Sequence, residues 1–324
     1  MPAHPKSSGA KSAISLALPA TSANLGPAFD AAALAFRIYL RVEACLSDEF
    51  AIAARGRDED VCGRLENHLI LTTYKEVLDA AGKKGLPLAL KIKNEIPIGK
   101  GCGSSAAARL AGIALAVHFG KLGWNDRRII GEASLREHHP DNAAACWMGG
   151  VAVARMSSDT EAEVIKVRPK GKWPLLLAVP PDPLSTEQAR RVLPAQYSRA
   201  DAVTNIQNSM MLLAALVQDR RDLLAAALVD RIHQPYRASL CPLLPALQSV
   251  VGERGIGGIA LSGAGPSVLV FLDPKIAAVK SLAAVRACLD RNGLSAELLL
   301  TAISEEGARD QIGWKKRTGK RVNR

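Results

Sequence analysis

Glycines recur at alternate positions in a short loop of the chain, where they could bring the backbone against a bulky anion. The loop begins at Pro97, has glycines at 99, 101 and 103, and leads into an Ala- and Leu-rich segment that predicts a helix over 104–119. Backbone N–H groups and the dipole at a helix N-terminus favour phosphate. Ser104, Ser105 and Lys100 add hydroxyl and ammonium donors. The loop therefore predicts a phosphate site, and the alternative is a flexible turn capped by Ser104.

The spacing of this loop differs from that of two common nucleotide-binding loops. No Gly-Lys-Ser/Thr sequence closes it, so it is not a Walker A loop. Serines follow Gly103 where a dinucleotide-binding fingerprint would have its spaced third glycine, so that fingerprint is absent as well. The loop therefore predicts phosphate binding of another type.

Two further glycine-containing motifs lie far from the loop in the sequence. The first runs over 19–30 and ends on Asp30, and the second runs over 262–267; each alone reads as a turn. Together with the loop, they resemble in type and order the three motifs of the GHMP kinases, a family of small-molecule kinases. Cys102 stands where the loop of that family usually has Leu, and Ala28 stands where the first motif usually has its second glycine.

Polar segments at 139–142, 185–194 and 230–237 resemble the acceptor-binding segments of those GHMP kinases that phosphorylate homoserine. Planar guanidinium groups suit a carboxylate, and by resemblance Arg190 and Arg237 bind the acceptor carboxylate. The acceptor-site residues that the resemblance implies are Asn24, Asp30, His139, Asn142, Thr186, Arg190, Arg237 and Gly263. Of these, the residues expected to act in catalysis are Asn24, Asp30, Asn142 and Arg190. Taken alone, Arg190 also fits a solvated helix charge, and His139 a structural histidine.

By the same resemblance, the glycine loop binds ATP, and a magnesium ion neutralises the phosphates. The implied magnesium ligands are Ser105 and Glu132. Glu137 is the alternative, because the spacing from Glu132 to Asn142 is shorter than in relatives. Asn67 is expected either near the adenine or as the N-cap of a helix. The nucleotide contacts expected are Asn67, Pro97, Gly99, Lys100, Gly101, Cys102, Gly103, Ser104 and Ser105.

The reaction that the resemblance implies is direct transfer of the γ-phosphoryl group of ATP to the hydroxyl of L-homoserine, a step of threonine biosynthesis. Positioning and charge do most of the work in such a transfer. Asp30 is the only carboxylate in the first motif, and its expected partner is the ammonium group of the acceptor. We therefore predict no dedicated general base, with the acceptor proton lost late to a phosphate oxygen.

Composition narrows the class of protein. The chain has 324 residues, 48% hydrophobic and 23% charged, which fits a globular protein of about two domains. Its six cysteines lie singly, so neither a disulfide framework nor a zinc site is expected, and a reducing cytoplasm fits best. The N-terminal residues only faintly resemble a signal peptide, and 255–272 is too rich in Gly, Ser and Pro for a membrane helix. No membrane partner is expected.

Hydrophobic periodicity and turn residues place the motifs on helices and strands. The first half predicts helices over 69–81 and 104–119 and a strand over 88–96. The second half predicts, in order, a strand at 174–179, helices at 201–218 and 222–232, strands at 258–261 and 267–272, a helix at 276–290 and a strand at 296–302. That order indicates a ferredoxin-like split βαβ unit.

The expected fold class is α+β with the two-domain architecture of GHMP kinases. By resemblance, residues 12–165 form an ATP-binding domain with a ribosomal-protein-like fold, and residues 166–306 form the ferredoxin-like C-terminal domain. Residues 307–324 are predicted to be a basic, disordered tail. The resemblance also suggests a homodimer.

Two alternative functions fit parts of the sequence less well. A GHMP kinase for mevalonate, shikimate or a sugar would not need Asp30 and the paired arginines, because those acceptors lack an ammonium group. An RNA-binding protein could use the basic tail, but the net charge of +11 is concentrated at the two ends and aromatic residues make up only 4% of the chain. Nucleic acid is therefore not the expected partner.

Overall fold

The computed structural model describes residues 13–314. The first half of the chain supplies six strands of a seven-stranded sheet. The strands of this sheet are β1 (Ala13–Ala23), β2 (Ala32–Leu46), β3 (Ala51–Gly56), β4 (Leu88–Asn94), β5 (Val151–Met156), β6 (Ala162–Val167) and, from the end of the chain, β11 (Gly313–Trp314). Their order is β11-β1-β2-β4-β3, and β5 pairs with both β2 and β6. β1 and β2 are antiparallel from Ala13↔Cys45 to Ala23↔Ala33. Leu88, Leu90 and Ile92 of β4 are buried, as the alternation of the sequence predicts.

Five helices accompany the first sheet. They are α1 (Glu59–Cys62), α2 (Leu69–Ala80), α3 (Ser104–Gly120), α4 (Asp126–Glu137) and α5 (Asp141–Met148). The predicted helices over 69–81 and 104–119 are confirmed as α2 and α3. α3 buries most of its length, because small alanines let α2 and the sheet approach closely. Asn67 is not the N-cap of α2: that position is His68, and Asn67 has a left-handed φ of 52°.

A second, four-stranded sheet is built by the second half of the chain. Its strands are β7 (Pro174–Val179), β8 (Ile256–Leu261), β9 (Val268–Leu272) and β10 (Glu297–Ala302). Their order is β10-β7-β9-β8, and every neighbouring pair is antiparallel. This is the arrangement of a split βαβ unit, so the prediction from the element order is confirmed. One face of the sheet joins the core under the first sheet, and the other face forms a second hydrophobic cluster.

The helices of the second half are α6 (Thr186–Arg191), α7 (Arg199–Gln218), α8 (Leu224–Ala227), α9 (Gln234–Arg237), α10 (Leu243–Gln248) and α11 (Ala278–Arg291). The single helix predicted over 222–232 is wrong. The chain there forms a short 3-10 turn followed by α8, the helix ends, and a new helix begins at α9. The Asp230 carboxylate causes the new start, because it accepts hydrogen bonds from the backbone N–H groups of Ile232, His233 and Gln234. Within residues 13–314, no helix is both long and apolar enough to cross a membrane.

After β10 the chain returns to the first sheet. Ile303 forms a β-bridge with Phe36, and the N–H of Ser304 donates to Ala35 O at 2.8 Å. A 3-10 helix at Ala308–Gln311 follows, and β11 pairs with the beginning of β1. The predicted tail of 307–324 therefore includes the 3-10 helix at Ala308–Gln311 and β11 at Gly313–Trp314. Its remaining part, 315–324, lies outside the described residues.

Candidate active site

A cavity of about 670 Å³ lies where the two halves of the chain meet. The glycine loop forms one wall, and the motif at 19–30 and the motif at 262–267 close it from the other sides. All eight predicted acceptor-site residues line this cavity. Among the predicted nucleotide contacts, Pro97 and Lys100 do not line it; the Lys100 ammonium instead donates to Pro181 O. The three motifs, far apart in the sequence, therefore share one site.

The glycine loop has a backbone that other residues would strain. Gly99, Gly101 and Gly103 have φ angles of 70°, 74° and 69°. A Cβ on Gly101 would meet Ser262 O and would lie 2.6 Å from Gly265 O. The Ser262 hydroxyl donates to Gly101 O at 2.8 Å, so the third motif holds the loop directly.

Cys102, which replaces the usual Leu of the loop, is buried. Burial raises the pKa of its thiol to about 12, which keeps it neutral. Its carbonyl accepts a hydrogen bond from the backbone N–H of Thr21 at 3.1 Å. Cys102 therefore anchors the loop to β1 and takes no part in charge chemistry.

Beside the loop, the Ser105 hydroxyl donates to Glu137 Oε1 at 2.6 Å. The same oxygen accepts a hydrogen bond from Arg109 Nε at 2.6 Å, and the residues of the Ser105–Glu137 pair both line the cavity. The hydroxyl and carboxylate are hard oxygen donors, which suit magnesium beside phosphates.

Glu132, predicted from the sequence as a magnesium ligand, lies elsewhere. It is buried between two arginines of its own helix, with Arg128 Nη2 at 2.5 Å and Arg136 Nη1 at 2.6 Å. It is not among the residues that line the cavity. The structure thus brings Ser105 together with Glu137, the alternative, and not with Glu132.

Two guanidinium groups, those of Arg190 and Arg237, converge on the Phe29 ring. Arg190 Nη2 lies 2.7 Å from Asp30 Oδ1. The guanidinium carbons of Arg190 and Arg237 lie 5.4 Å and 5.5 Å from the centre of the Phe29 ring. Burial, followed by repulsion from Arg190, lowers the pKa of Arg237 to about 10. Two neighbouring cations with one carboxylate between them form a site that favours a further anion.

His233 fixes the orientation of Arg237, and no sequence motif singled it out. Its Nε2 donates to Gly26 O at 2.8 Å, which leaves Nδ1 to accept from Arg237 Nη1 at 3.1 Å. Burial lowers the pKa of His233 to about 4, so the ring is neutral at pH 7. Arg237 Nε also donates to Ala189 O at 2.9 Å. The local signal was the spacing of four between His233 and Arg237, which places both on one side of a helical turn.

Polar side chains at the centre of the cavity connect the two walls. Asn24 Nδ2 donates to Gly263 O at 2.8 Å, and Asn24 Oδ1 accepts from the backbone N–H of Asp30 at 2.9 Å. Asn142 Oδ1 accepts from the Thr21 hydroxyl at 2.6 Å. The asparagines are therefore fixed in orientation before any ligand enters.

His139 is also held in place, by a residue that was not predicted. Its Nδ1 lies 2.6 Å from Oδ1 of the buried Asp141. Burial opposes a charge on His139, but the hydrogen bond and charge of Asp141 outweigh burial and raise the pKa of the imidazole. Asp30 and Asp141 thus place two carboxylates near this ring. Asp141 lies within the predicted segment 139–142, so its position in the motif was the available signal.

The remaining part of the cavity is mostly apolar. Its walls include Val61, Ile70, Ile92 and Ile96, and Asn67 lies at its border. An apolar slot next to a phosphate loop fits a flat heterocyclic base. Asn67 also lines the cavity, and its contact with an adenine stays a prediction.

Family sequence models match both halves of the chain. A model described as GHMP kinases N terminal domain matches residues 68–150, and one described as GHMP kinases C terminal matches residues 212–291. These matches cover about half of the chain, and the glycine loop lies inside the first. The chain belongs to the GHMP kinase family.

Within that family, the similarity is to proteins named homoserine kinase. The homoserine kinase of Solibacter usitatus is 40% identical over 294 residues, covering 90% of this chain and 95% of the relative. That of Desulfitobacterium hafniense is 37% identical, covering 90% and 97%. The crystal structure of homoserine kinase from Cytophaga hutchinsonii has a TM-score of 0.77 at 24% identity, covering 94% of this chain and 99% of that one. The last comparison concerns the fold, and the first two carry the similarity in sequence.

Proposed function

We propose that the protein transfers the γ-phosphoryl group of ATP to the hydroxyl of L-homoserine, giving ADP and O-phospho-L-homoserine for threonine biosynthesis. The observation that carries this proposal is the pair Arg190 and Arg237, which share the Phe29 ring with Asp30 beside them. An amino acid presents one carboxylate and one ammonium group, and this arrangement offers a partner for each. The named relatives support the same acceptor.

The acceptor carboxylate binds between Arg190 and Arg237 and compensates their mutual repulsion. Arg190 is paired with Asp30 at 2.7 Å, so the acceptor inserts its two charged ends into an existing ion pair. Its ammonium group takes a place beside Asp30, and the side-chain hydroxyl extends toward Asn142 and the glycine loop. The site thus binds both the carboxylate and the ammonium group, and it selects acceptors whose hydroxyl lies at a suitable distance from them.

ATP places its phosphates on the glycine loop and on the N-terminus of α3, where backbone N–H groups point into the cavity. We propose that Ser105 and Glu137 hold magnesium, which supplies charge neutralisation across the β- and γ-phosphates. Arg109, which donates to Glu137 at 2.6 Å, keeps that carboxylate in place. The adenine occupies the apolar slot near Asn67.

The transfer requires no dedicated base in this proposal. Asp30 is engaged by Arg190 and by the ammonium group, and the hydrogen bond to Asp141 favours the protonated form of His139. Asn142 and Asn24 orient the hydroxyl for in-line attack, and its proton leaves late to a phosphate oxygen. The six free cysteines fit a reducing cytoplasm, which we propose as the location.

The test is ATP consumption by the purified protein with magnesium, measured against L-homoserine, D-homoserine, L-serine, mevalonate and galactose. Turnover restricted to L-homoserine is expected. Turnover with mevalonate or galactose instead would retain the kinase but remove the acceptor roles of Arg190, Arg237 and Asp30. Binding of ATP without turnover of any of the five would contradict the proposed acceptor.

A further inference from the structure

Asp141 is a buried carboxylate that lines the cavity, and one of its two oxygens has no partner. Its Oδ1 accepts hydrogen bonds from His139 Nδ1 and from the backbone N–H of Asn142, both at 2.6 Å. Its Oδ2 has no hydrogen-bond partner among the described residues, although the side chain is only 1% exposed. A buried carboxylate oxygen without a donor is costly, so we expect a ligand to supply the donor.

A role in the stability of helix α5 does not account for the free oxygen. Asp141 is the first residue of α5, where a carboxylate is favourable beside the unpaired N–H groups and the positive end of the helix dipole. The contact with the N–H of Asn142 fulfils that role, and Oδ1 alone makes it. The second oxygen is therefore available to a molecule in the cavity.

Asp30 supplies a second carboxylate close to the first. One side-chain atom each of Asp30, His139 and Asp141 lie within 4.8 Å of one another, and all three residues line the cavity. Two oxygens that accept from one ammonium group, each about 2.8 Å from its nitrogen and at a tetrahedral angle, lie about 4.6 Å apart. The spacing of the two carboxylates therefore suits a single ammonium group between them.

The neighbouring charges favour an amino acid over a metal ion in this place. Arg190 Nη2 lies 2.7 Å from Asp30 Oδ1, and Arg237 shares the Phe29 ring with Arg190. Two guanidinium groups repel a divalent cation. An amino acid is a zwitterion, so it brings a carboxylate for the arginines together with an ammonium group for the aspartates. Because Asp30 is shared with Arg190, a second carboxylate oxygen strengthens the ammonium subsite.

We propose that Asp141 Oδ2 accepts a hydrogen bond from the ammonium group of the acceptor, together with Asp30, and so selects amino acids against hydroxy acids of the same length. This inference rests on the proposed function, because it assigns a partner to the ammonium group of L-homoserine. Asp141 then serves the site through both oxygens. Oδ1 holds His139 and Asn142 in position, and Oδ2 contacts the acceptor itself.

The test compares the binding of L-homoserine and 4-hydroxybutyrate to the full chain, by ligand-observed NMR titration without nucleotide. 4-Hydroxybutyrate has the same carboxylate, chain length and hydroxyl, and lacks only the ammonium group. Asp141→Asn removes the charge at constant size, so it should weaken L-homoserine binding roughly 10- to 100-fold and change 4-hydroxybutyrate binding less than about 3-fold. Asp290→Asn is the matched control, because it removes the same charge at an exposed position of α11 and should change neither affinity.

A second variant keeps the test independent of the folding of Asp141→Asn. His139→Gln leaves both carboxylates in place, so it should retain the preference for L-homoserine over 4-hydroxybutyrate. Loss of that preference in His139→Gln would overturn the inference. So would equal weakening of the two ligands in Asp141→Asn, since the carboxylate would then act only through His139 and Asn142, and the proposed function would stand. A wild type that does not bind L-homoserine would overturn the proposed function, and this inference with it.

Discussion

Removal of the Arg190 guanidinium should weaken homoserine binding while leaving ATP binding nearly unchanged. Arg190 lies on α6, its Nη2 is 2.7 Å from Asp30, and its side chain is 35% exposed. Its side-chain contacts are with Asp30 and the Phe29 ring. Arg190→Ala therefore removes one half of the proposed carboxylate clamp and leaves Arg237 in place.

The size of the effect follows from burial. Loss of a charge-assisted hydrogen bond from a fully buried pair costs several kcal/mol, but partial exposure of Arg190 reduces this to ~2–3 kcal/mol. That corresponds to a rise in the KM for L-homoserine of roughly 30- to 150-fold. The KM for ATP should change by less than about 3-fold, since Arg190 makes no contact with the loop that binds phosphate.

The assay is steady-state kinetics with each substrate varied in turn. Arg191→Ala is the matched control, because Arg191 is the next residue of the same helix, is 73% exposed and pairs only locally with Glu187. It should leave both KM values unchanged. An unaltered homoserine KM in Arg190→Ala, or an equal effect in the Arg191→Ala control, would refute the assignment of the clamp.

Three further experiments test other parts of the protein. Glu137→Gln should raise the magnesium concentration for half-maximal activity ~10-fold or more. Glu132→Gln should instead lower the melting temperature, because it removes the ion pairs with two arginines. A raised magnesium requirement in Glu132→Gln and not in Glu137→Gln would restore Glu132 as the ligand. Gly101→Ala should weaken ATP binding at least ~10-fold in calorimetry, because its methyl group meets backbone oxygens, and unchanged binding would contradict the strained loop. The pKa of His139 is raised above 6.5 on folding, so its stabilising effect is present below that pH and is lost as the pH rises through the folded pKa. Asp141→Asn should flatten this part of the dependence of unfolding free energy on pH, as measured by urea denaturation. An unchanged slope would exclude His139 as its source.

Much of the fold could be predicted because its signals are local. Glycine and proline separate the strands of the second sheet, and alternation marks β4. The break after α8 also had a local signal, since Asp230 precedes three N–H groups that need an acceptor. The pairing of β11 with β1 had no local signal, because Gly313 and Ser15 are separated by nearly the whole sequence. Pairing at that separation leaves no pattern in either segment.

Site residues could be predicted where they belong to a sequence motif. They could not be predicted where their role depends on tertiary contacts. Family motifs pointed to Arg190, Arg237 and Asp30, which line the cavity, whereas the only local signal for His233 was its spacing of four from Arg237. The choice of Glu132 was avoidable, because Arg128 and Arg136 lie four residues to either side of it on a helix. That spacing predicts ion pairs along the helix, and the structure places Glu132 in such pairs and outside the residues that line the cavity.

The proposed transfer without a dedicated base is consistent with the contacts that hold the glycine loop. The third motif holds the glycine loop through Ser262 and Gly101 at 2.8 Å, and β1 holds it through Thr21 and Cys102 at 3.1 Å. The Thr21 hydroxyl also orients Asn142, the side chain proposed to face the acceptor hydroxyl. Donor and acceptor subsites therefore share one hydrogen-bonded framework, and their separation is fixed before substrates bind. Because phosphoryl transfer gains most from alignment and charge, we propose that such a framework supplies the larger part of the rate enhancement, and that Asp30 recognises the ammonium group and does not act as a base.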